Sequence, residues 1–143
     1  MTVDSSASAT WVGDLATGQG TVRPASGAFP ELTMTSARRF QTRDTGSSPE
    51  ELIAAAHASC LSMALAHGLA TAGFPAKQLD VTARVTVGLP EGISAIHLTI
   101  KGKVPGIEPA AFSAAVDAAK AGCPVSKALA AVSSITAEAT LEL

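Results

Sequence analysis

An α+β fold, with antiparallel sheets packed on helices, follows from three features of the sequence. The first is an uncharged stretch from Leu52 to Ala72, framed by helix start and stop signals. The second is strict alternation of apolar and polar residues in three later segments, around Val81–Val87, Ile96–Lys101 and Ile135–Leu143. The third is their order: strands, one long helix, two strands, two shorter helices, a last strand. Strands with one wet face suit an antiparallel sheet whose other face lies on helices. At 143 residues, without internal repeat or linker, the chain reads as a single domain, 1–143.

The elements follow in chain order. Thr10, Trp11 and Val12 open a strand that Gly13-Asp14 punctuates, and the run from Gly18 to Pro24 is its hairpin partner. The Gly18-x-Gly20 pair lacks the third glycine, the Lys-Ser/Thr and the following helix of a phosphate loop, so it reads as a turn or bulge. Ser26 to Glu31 is a loop. Leu32 to Gln41 is expected as a strand, which would put Arg38 and Arg39 on opposite faces. A connector containing Arg43, which we expect to be solvated, leads to the long helix. There Ser48 is the N-cap, Pro49 the first helical residue and Glu51 the third residue after the cap, a capping box. Gly73 ends the helix and Pro75 blocks its continuation. After the two strands joined by the turn at GLPEG, a helix runs from Pro109 to Ala121, and Cys123-Pro124 opens a shorter one through Ala130.

A helix apolar nearly all round must be buried on most sides, in the core and against a second copy of the chain. Its length nearly suffices to span a bilayer. However, His57, Ser59, Ser62, His67 and Thr71 are expensive in lipid, so no membrane partner is expected. Apolar residues make up 47% of the chain and charged ones only 15%, which leaves little to cover apolar surface and favours oligomerisation. A net charge of −2 with scattered signs, and only one Trp, four Phe and no Tyr, speak against nucleic acid. The first residues, MTVDSSAS, show neither the charged nor the apolar region of a secretory signal, so the cytoplasm is the expected location. Thiols there are reduced, reactive or simply buried.

Cys60, eleven residues beyond Pro49, fits a buried core cysteine as well as a reactive one. Cys123, preceding Pro124 at a helix start, is the thiol that local physics would make more acidic. The cap reasoning separates two glutamates: Glu51 reaches back to the Ser48 amide, which leaves Glu50 free. His57 and Cys60 share a helix face, but without a second pair they do not make a metal site, and no metal or cofactor is expected. His67 reads as an interior or interface histidine and His97 as one on a solvent face. Ser59 lacks the setting of a nucleophile elbow.

The stretches GSSPEELIAAAHASC and AGCPVSKAL, with TWVGDLATGQGTV and ARRF before them, resemble the OsmC/Ohr family of osmotically inducible and organic-hydroperoxide-resistance proteins over nearly the whole chain. The resemblance implies an OsmC-like fold, an intertwined homodimer with sheets wrapped around long central helices and sites at the subunit interface. It implies a thiol peroxidase acting on organic hydroperoxides, and on hydrogen peroxide less well. By position, Cys60 matches the peroxidatic cysteine, Cys123 the resolving one, Glu50 the family glutamate, and Arg39, before Phe40, the arginine of the OsmC branch. The Ohr branch takes its arginine from near the first hairpin, where only Arg23 is available here. Ser47-Ser48 replaces the commoner Thr-Asn, and Leu61 stands where an aromatic often follows the cysteine.

The implied cycle runs through a Cys60 sulfenic acid and a Cys60–Cys123 disulfide, recycled by an external dithiol of the dihydrolipoyl type. Arg39 would favour the Cys60 thiolate and Glu50 would hold Arg39. The rival is a non-enzymatic dimer that senses oxidants through Cys60 or binds an apolar small molecule.

Overall fold

The computed structural model describes residues 1–41 and 46–142. The expected connector arginine, Arg43, and the last residue of the expected final strand, Leu143, lie outside them. The contacts group into two compact units, Met1–Leu52 and Ile53–Leu143.

The first unit is a three-stranded antiparallel sheet, β1 (Ala7–Val12), β2 (Gln19–Pro24) and β3 (Leu32–Met34), in that order. Trp11 faces Gly20 across the hairpin. A Cβ on Gly20 would meet the indole Cε3 at 2.7 Å, so glycine here makes room for the ring. The indole Nε1 donates to the carbonyls of Gly13 (3.0 Å) and Asp14 (3.2 Å), which fixes the ring's orientation.

The expected strand over Leu32–Gln41 stops at Met34. Thr35 then caps a short helix, α1 (Ser36–Phe40), its hydroxyl accepting from the Arg38 amide at 3.0 Å. Arg38 and Arg39 are therefore neighbours on a helix and not on opposite faces of a strand. Ser47 is tied back to β3, its amide donating to the Thr33 carbonyl at 2.9 Å. Ser48 follows as the cap of α2 (Pro49–Thr71), accepting from the Glu51 amide at 3.1 Å.

In the second unit the remainder of α2 lies on a sheet of order β4-β5-β6, from β4 (Gln78–Gly88), β5 (Gly92–Lys103) and β6 (Ser134–Glu142). The helix ends in a Schellman motif: the Gly73 amide bonds the Ala70 carbonyl and the Phe74 amide the Leu69 carbonyl. Gly73 takes the positive φ of 89° that this ending needs. β4 and β5 pair antiparallel, but β6 joins β5 in parallel. The crossover through α3 (Pro109–Gly122) and α4 (Pro124–Ala128) brings the chain back in the same direction, which an alternation pattern alone does not encode.

Leu61, Leu65 and Leu69 of α2 are fully buried with Ile96, Leu98 and Ile100 of the central strand β5 and with Phe112 and Val116 of α3. Phe112 lies over Gly102, where an added Cβ would come within 2.5 Å of the ring. The rest of α2 departs from expectation. Within the chain it buries one face only; Ala56, Ser59, Ala66, His67 and Ala70 are exposed, and Met63 is 73% exposed. Among the described residues α2 is the one helix long and apolar enough to cross a membrane, and its core-facing leucines give it a place in the fold instead.

Candidate active site

Four of the residues singled out in the sequence form two pairs, one in each unit. In the first, Arg39 of α1 meets Glu50 at the start of α2 in a forked ion pair. Its Nη2 donates to Glu50 Oε1 at 2.7 Å, and its Nε lies 3.1 and 3.2 Å from the two carboxylate oxygens. Glu50 is 8% exposed and Arg39 37%. The guanidinium also lies 5.0 Å from the centre of the Phe40 ring.

Arg38 is occupied differently. Its Nε donates to the Gly46 carbonyl at 3.0 Å and its Nη2 to Glu51 at 2.7 Å. Glu51 thus pairs with Arg38 instead of reaching back to its cap residue. Two successive arginines each take one of two successive glutamates, and the better-buried carboxylate goes to Arg39. Arg39 also borders an apolar hollow of about 430 Å³, together with Trp11, Leu15, Val22, Met34 and Leu52. A cation beside an apolar cradle suits a ligand with one polar and one apolar end.

In the second unit Cys60 of α2 meets Cys123, which links α3 to α4. Both are free thiols, with sulfurs 3.0 Å apart. Cys123 is fully buried, whereas Cys60 keeps part of its surface. Burial first, and then the neighbouring Cys123, push the Cys60 thiol up against a smaller pull from the Val125 amide. Burial also pushes Cys123 up. There, however, hydrogen bonds with Cys60, the Ser126 amide and hydroxyl, and the Val125 amide outweigh it and leave Cys123 below an ordinary thiol. The more acidic thiol lies at the position the helix-start argument selected, but the hydrogen bond with Cys60 lowers it more than either amide opening α4 does. No cation acts on Cys60 from the described residues of its own unit.

Behind this pair lies a contact absent from the sequence reading. His57, fully buried and one turn before Cys60, places Nε2 2.7 Å from the Ser126 hydroxyl, while its Nδ1 is buried without a partner. Burial pushes the imidazole down. The one available signal was the place of Ser126, third after Cys123 at the start of α4. His97 lies on the wet face of the second sheet, its Nδ1 2.8 Å from Thr136 Oγ1. No cluster of three or more His, Cys, Asp or Glu suited to a metal ion occurs among the described residues.

Comparison with known proteins decides the family. The family model for OsmC-like proteins matches residues 42–138, which includes Glu50, Cys60 and Cys123. The chain belongs to the OsmC-like family. This OsmC-like protein is 40% identical over 132 residues to peroxiredoxin OsmC of Escherichia coli strain K12, covering 90% of this chain and 92% of that one. The match to peroxiredoxin OsmC of Shigella flexneri has the same figures. Among solved structures, an OsmC-like protein from Mycoplasma pneumoniae superposes with a TM-score of 0.76 at 16% identity over the full length of both chains. The organic hydroperoxide resistance protein OhrB of Bacillus subtilis superposes with a TM-score of 0.66 at 24% identity, covering 96% of this chain and 98% of that one. These two likenesses establish the α+β fold.

Proposed function

We propose that this OsmC-like protein is a cysteine-based peroxidase that reduces organic hydroperoxides, with hydrogen peroxide a poorer substrate. The observation that carries this reading is the pairing of a partly accessible thiol, Cys60, with a fully buried one, Cys123, at 3.0 Å. Only Cys60 can meet a peroxide from solution. Cys123, the more acidic of the two, is poised to attack whatever oxidised sulfur Cys60 becomes. The 40% identity to proteins named peroxiredoxin supports the same chemistry.

In the proposed cycle the Cys60 thiolate attacks the terminal peroxide oxygen, the O–O bond breaks, and the alkoxide takes a proton from solvent and leaves as the alcohol. Cys60 remains as a sulfenic acid. Cys123 displaces its hydroxyl as water and forms the Cys60–Cys123 disulfide. An external dithiol, dihydrolipoyl by family analogy, takes up the oxidation and returns both thiols.

No cation acts on Cys60 among the described residues of its own unit; by analogy with the family we assign that role to Arg39, which Glu50 holds. The apolar hollow beside Arg39 supports an organic hydroperoxide over hydrogen peroxide. We infer a homodimer as the working form, one OsmC-like domain per chain. The uncharged, uncovered face of α2 around Met63 supports it, because apolar surface of that kind is normally covered. We infer a cytoplasmic setting, where two thiols are kept reduced between oxidations. The test is steady-state consumption of cumene hydroperoxide by reduced protein with dihydrolipoamide. Sustained turnover supports the peroxidase, and one oxidation that then stops supports an oxidant sensor.

A further inference from the structure

Cys123 sits on a corner between two helices. Its amide bonds the Ala119 carbonyl at 2.8 Å and its carbonyl accepts from the Lys127 amide at 3.0 Å. Both bonds stay within α3 and α4, and neither reaches α2. Buried Phe112 and Val116 hold α3 in the core. By contrast α4 has five residues, and its one buried side chain is polar, that of Ser126. Val125 and Leu129 are only partly buried against the core. Ser126 meets the fully buried His57, whose Nε2 lies 2.7 Å from the hydroxyl and whose Nδ1 has no partner among the described residues. An apolar pair would fill this space without stranding a polar atom. A polar contact in such a place serves to fix register.

The register here is specific. His57 and Cys60 are three residues apart on α2, and Cys123 and Ser126 are three apart across the start of α4. Cys123 donates to the Cys60 sulfur at 3.0 Å, and His57 meets Ser126 one turn away. The two contacts run in opposite directions along the two segments and brace α4 against α2. Either one alone would leave the short helix free to pivot about it.

We propose that the His57–Ser126 bond is the fastening that keeps Cys123 within attacking range of Cys60 once Cys60 is oxidised. The inference rests on the peroxidase reading and adds to it a positioning residue, His57, for the second step. Oxidation places a hydroxyl on the Cys60 sulfur, so the contact between the two sulfurs must rearrange just when their geometry is needed. The His57–Ser126 bond involves neither sulfur and outlasts that change. To bond, the sulfurs must then approach by about 1 Å. Side-chain rotation covers this distance if the Cys123 backbone stays in place, and a misplacement of about 1 Å can cost about a hundredfold in rate.

The experiment loads glutathione onto the accessible Cys60 from oxidised glutathione and follows two reactions of that mixed disulfide by acid quench and mass spectrometry. One is closure by Cys123 with release of glutathione. The other is attack by added 2-mercaptoethanol, measured in a Cys123→Ser background. Their ratio is the effective concentration of Cys123 at Cys60. The double variant His57→Leu with Ser126→Ala replaces both partners by apolar groups, and its thermal midpoint should be no lower than that of the wild type. We expect its effective concentration to fall at least about tenfold. The deficit should persist on the alkaline plateau of the closure rate, where Cys123 is thiolate in every variant and its acidity no longer counts. His57→Gln, whose amide can still bond the Ser126 hydroxyl, should stay near wild type. With one equivalent of cumene hydroperoxide, these variants should form the Cys60 sulfenic acid, trapped with dimedone, at the wild-type rate.

A wild-type effective concentration in the double variant would overturn the proposal. So would a deficit that vanishes on the plateau, since that marks a change in thiol acidity. A deficit that comes with a lowered thermal midpoint and is shared by His57→Gln would overturn it too, as a packing defect. If peroxide failed to oxidise Cys60 in the wild type, the peroxidase reading would fall while the glutathione route still tested the fastening.

Discussion

Replacing Glu50 with glutamine removes one charge from the Arg39–Glu50 fork and almost no volume. An exposed ion pair contributes about 0–1 kcal/mol, and breaking a buried one costs about 3–5 kcal/mol. This pair lies between, because Glu50 is 8% exposed but Arg39 is 37% exposed and can turn back to water. We therefore expect Glu50→Gln to lose about 1–2 kcal/mol of stability, a factor of roughly 5–30 in the folding equilibrium. The functional consequence is larger than the structural one. On the role proposed for Arg39, a guanidinium no longer clamped through Nε and Nη2 would stabilise the Cys60 thiolate less, and capture of Cys60 by iodoacetamide should move to higher pH. Urea unfolding of the reduced protein reads the first effect, and mass-spectrometric alkylation across pH reads the second. A double-mutant cycle with Arg39→Gln separates the pair's own coupling from loss of either side chain. An unchanged urea midpoint together with an unchanged Cys60 alkylation profile would refute both the energetic and the positioning argument.

Other expectations follow from single contacts. Gly102→Ala drives a methyl to 2.5 Å from the Phe112 ring in the centre of the second unit, so it should cost about 1–3 kcal/mol, read as a lower thermal midpoint. Ser48→Ala removes the acceptor of the Glu51 amide and should cost about 1 kcal/mol in urea unfolding. His57 has a lowered pKa in the fold, so the unfolded chain binds the extra proton first. Its contribution to stability is full above the ordinary imidazole value of about 6.5 and is lost as pH falls below it, and His57→Gln should flatten that limb of the stability curve.

How legible the molecule was depends on the range of the forces involved. Both ends of α2 could be read because Ser48, Pro49 and Gly73 act on their own neighbours. The strands β4, β5 and β6 could be read because a half-buried strand writes its period into adjacent residues. The helix α1 was missed since five residues are too few to show a helical period, and its signal was the Thr35 cap alone. The parallel placement of β6 depends on where two helices return the chain, which no residue of β6 carries. At the site, cap logic left Glu50 free while assigning Glu51 to its own helix start. Structure adds that Arg39 takes the first and Arg38 the second. The contact of Ser126 with His57, sixty-nine residues away, is tertiary and no local pattern carries it.

The most direct test of the account is consumption of cumene hydroperoxide by reduced protein with a dithiol present, comparing wild type, Cys60→Ser and Cys123→Ser. The account predicts sustained turnover by wild type and none by Cys60→Ser. Cys123→Ser should give a single oxidation, trapped as a sulfenic acid that is poorly recycled. Continued turnover by Cys60→Ser would contradict it, because the buried Cys123 would then be the thiol that meets the peroxide.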